Sequence, residues 1–106
     1  MIGPSVPQTP TEQFKAQLDW TVNRLRTISL EKLNRDERIE MTRAVIQSLA
    51  KASRATNGLE ELAVPHLNAS ALADQLQVIG SDLINCTNEE VLESAASQLQ
   101  HLRLNL

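Results

Sequence analysis

Three capping-box patterns constrain what this chain can fold into more than anything else in it. Thr9-Pro10-Thr11-Glu12, Asn34-Arg35-Asp36-Glu37 and Thr87-Asn88-Glu89-Glu90 each place a side-chain acceptor three residues before a glutamate. At that spacing the first residue accepts from the N–H of the third helical position, and the glutamate reaches back to the cap's own N–H. An aliphatic run at helical spacing follows each box, so both the starts and the buried faces of helices are written locally. The fold class expected is all-α: a small four-helix bundle with short connections and a flexible N-terminal arm.

The arm is residues 1–8, where Pro4 and Pro7 sit among Gly3, Ser5 and Gln8 without periodicity. Residues 9–106 form one helical-bundle domain, a common size for a single core. The first helix is expected from Pro10 to Ile28, with Phe14, Leu18, Val22, Leu25 and Ile28 as its apolar stripe. Leu30 and Leu33 in the following connection can tuck under the bundle. The second helix is expected from Arg35 to Asn57, burying Ile39, Thr42, Val45, Ile46, Leu49, Ala52 and Ser53; Asn57-Gly58 supplies a left-handed stop. Glu40, Gln47, Lys51 and Arg54 lie on its opposite side. Leu59-Glu60-Glu61-Leu62 reads as one helical turn broken by Val64-Pro65.

A third helix is expected from Asn68 or Ser70 to Asn85, with the stripe Leu72, Leu76, Ile79 and Leu83. Ala69, Ala73 and Gly80 line one edge of that stripe. Glycine inside a helix costs roughly 1 kcal/mol against alanine, which a close approach by a neighbouring helix would offset; a merely tolerated glycine is the alternative. Because Asn85-Cys86-Thr87 is short, the third and fourth helices are expected to be antiparallel neighbours. The fourth spans Asn88 to Arg103 with Val91, Leu92, Ala95, Leu99 and Leu102 inward, and the apolar Leu104-Asn105-Leu106 end is expected to dock.

Composition excludes several functions. Cys86 is the one cysteine, so no internal disulfide can form and a cytoplasmic setting is favoured. The chain opens without a charged segment and apolar core of the secretory type, and no apolar run is long enough to span a membrane. Asn68-Ala69-Ser70 and Asn85-Cys86-Thr87 match the glycosylation sequon but read better as turn and cap residues. With His66, His101 and Cys86 the only His and Cys side chains, a four-ligand zinc site cannot be assembled, and no nucleophile–base signature is present. No catalytic residue, metal or cofactor is expected, and the protein reads as non-enzymatic. Gly80-Ser81-Asp82-Leu83 is similar to the Gly-x-Asp-Ser-Leu attachment site of acyl carrier proteins. Its Ser and Asp are reversed, however, and Ser81 falls mid-helix, so no carrier role follows.

What remains is surface recognition. Net charge is −3, yet residues 1–58 hold nine basic and six acidic side chains while 59–106 hold one and seven. Trp20 lies about 140° around the first helix from its apolar stripe, at 100° per residue, beside Ala16, Asn23, Arg24 and Thr27. Trp is enriched in partner-binding hot spots, and small or polar neighbours suit the rim of one. The alternative is that the ring covers the arm or another helix. The expected function is therefore a protein–protein interaction or regulatory module, with a homodimer as one form. Its site is Trp20, Ala16, Asn23, Arg24 and Thr27, with Arg43, Lys51 and Arg54 as steering charges. The runner-up is a small nucleic-acid-associated regulator using the basic first two helices; acidic residues interleave those cations and aromatic stacking platforms are nearly absent.

Overall fold

The computed structural model describes residues 9–85 and 88–106; the proposed arm 1–8, Cys86 and Thr87 lie outside the described residues. Five helices form: α1 (Pro10–Thr27), α2 (Leu30–Leu33), α3 (Arg38–Thr56), α4 (Leu72–Ile84), preceded by a 3-10 turn over Ala69–Ala71, and α5 (Glu89–Leu104). Among the described residues there is no strand. Over the described residues the protein is an all-α bundle of four long helices and one short one.

The first box forms in its forward half, with Glu12 meeting the Thr9 hydroxyl and not the Thr9 N–H. Thr9 Oγ1 accepts from the Glu12 N–H at 3.1 Å and itself donates to Glu12 Oε1 at 3.1 Å, while Pro10 occupies the first turn, where its missing N–H costs nothing. The second box does not form. Ser29 caps α2 by accepting from the Lys32 N–H, and Asn34 becomes the end of that short helix, its N–H donating to Leu30 O. The chain must then reverse within 35–37, which puts Asp36 (φ 54°) and Glu37 (φ 59°) in the left-handed region. Consequently α3 starts at Arg38 instead of Arg35, and no side chain caps it. At the third box the cap is Asn88, whose Oδ1 accepts from the N–H groups of Glu90 and Val91. A shorter Asx-type reach serves the same orphan donors one residue further on.

At the other end of α3 the stop is as expected. Gly58 sits at φ +70°, the Leu59 N–H donates to Arg54 O at 2.8 Å, and the Gly58 N–H donates to Ala55 O at 3.1 Å. These are the two bonds of a Schellman motif. The turn expected at Leu59–Leu62 is absent: residues 59–68 contain no helix and run back along α3.

The core is aliphatic and continuous. All five residues of the α1 stripe are buried, with Leu33, Ile46, Leu49, Leu72, Leu76, Leu83, Leu92, Leu99 and Leu102 packed around them. Ile39, Val45, Ala52, Ile79 and Val91 are partly buried at its edge. Leu33 is tucked in while Leu30 stays exposed, and Leu106 docks while Leu104 remains in solvent. Thr21 and Thr42 are the buried polar residues. Thr42 donates to Arg38 O at 2.7 Å and Thr21 to Gln17 O at 2.7 Å, with Leu99 O at 3.3 Å; each hydroxyl is satisfied locally, as burial requires.

Both α1 and α3 pack against α4 and α5, whereas neither α1 with α3 nor α4 with α5 shares an extensive face. The expectation that α4 and α5 lie side by side is thus corrected: a short link holds two helix ends close but does not align the helices. Packing sets the direction. A Cβ on Gly80 would stand 2.5 Å from Leu18 Cδ1, so α4 is drawn onto α1 at its glycine. The principal extents are 44 × 40 × 18 Å.

Candidate protein-interaction surface

Trp20 emerges from α1 on the side facing α5 and is 49% exposed. The Arg103 guanidinium from the last turn of α5 lies 5.4 Å from the indole centroid, a cation–π distance. Beside the ring runs a groove of about 410 Å³ between the two helices. One bank is Gln13, Ala16, Gln17 and Trp20, and the other Glu93, Ala96, Ser97 and Gln100. A second recess of about 550 Å³ continues past Trp20 to Asn23, Arg24 and Arg103.

Two buried polar atoms at this junction have no hydrogen-bond partner: Gln17 Oε1 in the groove and Arg103 Nε. Such groups cost about 1–3 kcal/mol when left unmet. Arg24 is already committed, its Nη2 donating to Leu106 O at 2.5 Å. It holds the C-terminal residues against α1 and frames the second recess. Thr27 Oγ1 donates to Arg24 O at 3.2 Å, and Asn23 is exposed.

Five of the residues singled out from sequence, Trp20, Ala16, Asn23, Arg24 and Thr27, therefore share one helix face. Arg43, Lys51 and Arg54 do not join them. They lie on α3, which does not pack on α1, and they contact the segment 59–67. Arg54 Nε donates to Glu60 O, Arg43 Nη2 donates to Leu67 O at 2.6 Å, and Lys51 Nζ is 3.9 Å from Glu61 Oε2. Sequence reasoning missed Arg103 and the whole α5 bank. The signal available was the polar row Glu93, Ser97 and Gln100, continuing to Arg103 at helical spacing, but nothing local assigns that row to Trp20.

His66 and His101 are both exposed, and among the described residues no three His, Cys, Asp or Glu side chains gather as a metal site. A polar recess of about 600 Å³ where the ends of α3 and α4 meet the start of α5 is lined by Ser53, Arg54, Asn57, Asp82, Asn85 and Asn88 among others. No histidine reaches it. No helix among the described residues is long and apolar enough to cross a membrane. Comparison with known protein families, with characterised proteins and with solved structures finds no match for this chain.

Proposed function

We propose that this chain is a non-enzymatic helical module that works by binding another protein through the α1/α5 face around Trp20. The observation that supports this most is the half-exposed indole itself, stacked with Arg103 and bordered by an open groove. Half an indole in water leaves on the order of 100 Å² uncovered, or about 2–3 kcal/mol of unrealised burial. Trp and Arg are also the side chains over-represented among binding hot spots. The lone Cys86 fits a cytoplasmic setting, since no internal disulfide is available.

A second copy of the chain is the partner to test first. Gln13, Gln17, Ser97 and Gln100 make up half of the groove's lining. Amides and hydroxyls carry both donors and acceptors, which suits a self-complementary two-fold contact. The nucleic-acid reading draws less support, because Arg26, Arg35, Arg38, Arg43, Lys51 and Arg54 each meet an acceptor within the chain.

The test pairs Trp20 fluorescence with sedimentation over a concentration series. Emission is expected to be red-shifted when dilute and to shift blue as copies associate or as a captured partner is added. Trp20→Ala should leave the chain folded, costing no more than about 2–3 kcal/mol for the covered half of the indole, and should abolish association. Blue emission in a dilute monomer, with a loss of about 3–5 kcal/mol on truncation, would make Trp20 a packing residue and end the proposal.

A further inference from the structure

The segment 59–67 is fastened to α3 in an unusual way. It runs antiparallel to the helix, and a row of α3 side chains reads its backbone in order: Arg54 meets Glu60 O, Lys51 meets the Glu61 carboxylate, Gln47 meets residues 62 and 64, and Arg43 meets Leu67 O. At 100° per residue these four positions fall within about 80° of one another. The Gln47 amide donates to Leu62 O at 3.0 Å and accepts from the Val64 N–H at 2.8 Å. That i, i+2 pairing copies one rung of a β-ladder.

The apolar side chains of this strap point the wrong way for a packed connection. Leu59, Leu62 and Leu67 are 53%, 58% and 42% exposed, and within 59–68 only Val64 is half-buried. A cavity of about 330 Å³ remains beside it, lined by Ala44, Ile46, Val64, Pro65 and Gln75 among others. Arg43 is also only half satisfied, since its buried Nε has no partner. A backbone carbonyl accepts from one guanidinium nitrogen, whereas a carboxylate engages two in parallel.

We propose that the Arg43–Gln47–Lys51–Arg54 row is a second binding site, for an extended acidic, leucine-bearing segment of a partner protein, and that the strap occupies it in cis as a weaker stand-in. The charge of the row selects acidic segments, the Gln47 rung selects extended backbone, and the orphaned Arg43 Nε favours a carboxylate where Leu67 O now sits. Tethering gives the strap an effective concentration on the order of millimolar, so a partner binds only by outcompeting it or after it has been loosened. This site is separate from the Trp20 face.

Two measurements on the full chain decide the matter. Hydrogen exchange read by mass spectrometry is expected to show 59–67 exchanging about a hundredfold faster than the centre of α3, as a locally opening unit does; equal protection would make the strap a fixed part of the core and overturn the proposal. The second probe is a fluorescein-labelled peptide with the sequence of residues 58–68 carrying Leu67→Glu, titrated by anisotropy. Val64→Gly, which loosens the strap and leaves the row intact, should bind it about tenfold tighter than the unaltered chain, and adding Arg43→Gln should remove that gain, the effect of losing one strong interface contact. If Val64→Gly loses helical circular dichroism, Gln75→Ala replaces it, because Gln75 ties Pro65 O to α4 without belonging to the row. Flat titrations, or equal binding of a peptide with Glu60→Lys and Glu61→Lys, overturn the proposal.

Discussion

Gly80 carries a contact that no other residue type can make. The space a methyl group would need is held by Leu18, which is fully buried and boxed in by the core. Alanine there gains about 1 kcal/mol of helix propensity but overpacks the core at a cost of about 1–3 kcal/mol. Gly80→Ala is expected to lose stability on balance, with Tm falling by about 4–8 °C for each kcal/mol in a domain of this size. Shortening Leu18 to Val should reverse the sign of the Gly80→Ala effect, giving a coupling that a double-mutant cycle detects. If the two changes add independently, the close approach is not what places α4. Trp20 is the opposite case, a large side chain whose neighbours leave it half in water.

At the scale of elements, the start of α3 rests on one side chain. Arg38 Nη1 donates to Lys32 O at 3.0 Å and Asp36 Oδ2 at 3.2 Å, and its Nε donates to Asn105 O at 2.9 Å. It thereby joins α2, the left-handed pair Asp36-Glu37 and the end of α5. Two consecutive non-glycine residues in that region cost about 1–2 kcal/mol each, and Arg38 is what holds them there. Its side chain is 17% exposed, so the bonds are only partly screened. Arg38→Ala is expected to destabilise the fold by about 2 kcal/mol in urea titrations, and exchange at residues 35–41 should rise before the core opens. A change confined to a few tenths would mean that packing of Leu33 alone places α3. The strap belongs to this scale too. Between Arg43 and Arg54 the helix rises about 16 Å, a span the seven steps from Glu60 to Leu67 cover with slack to spare, at up to about 3.3–3.6 Å each.

For the whole molecule, the division into a basic first half and an acidic second half has a visible but small use. Arg26–Asp74 and Lys51–Glu61 bridge the halves, and Arg35–Glu31 and Arg38–Asp36 stay within the first. Both bridging pairs are largely exposed, so each contributes about 0–1 kcal/mol at most. Raising salt well above the physiological range, where screening acts over about 3 Å, should therefore move Tm by only a few degrees. A collapse of stability in salt would mean that charge, not aliphatic burial, holds the two layers together. Peptide capture by the α3 row, in contrast, should weaken steeply under the same conditions.

Much of this was legible in the residues alone. The α1 stripe, the inward faces of α3, α4 and α5, the Thr9 cap and the Asn57-Gly58 stop depend on spacings of three to five residues. Burial repeats with the helix period and caps act within one turn, so a linear reading reaches them. Ala16, Trp20, Asn23, Arg24 and Thr27 share one face of α1 for the same reason. What only packing decided lies between segments far apart in the chain: Arg38 tying the start of α3 to the end of α5, α5 laying Arg103 over Trp20, Gly80 pulling α4 onto Leu18, and Arg43, Lys51 and Arg54 turning to their own connection. Hydrogen bonds of that kind exist only after the helices have met, and their partners are chosen by distance in space, which spacing along the sequence does not encode.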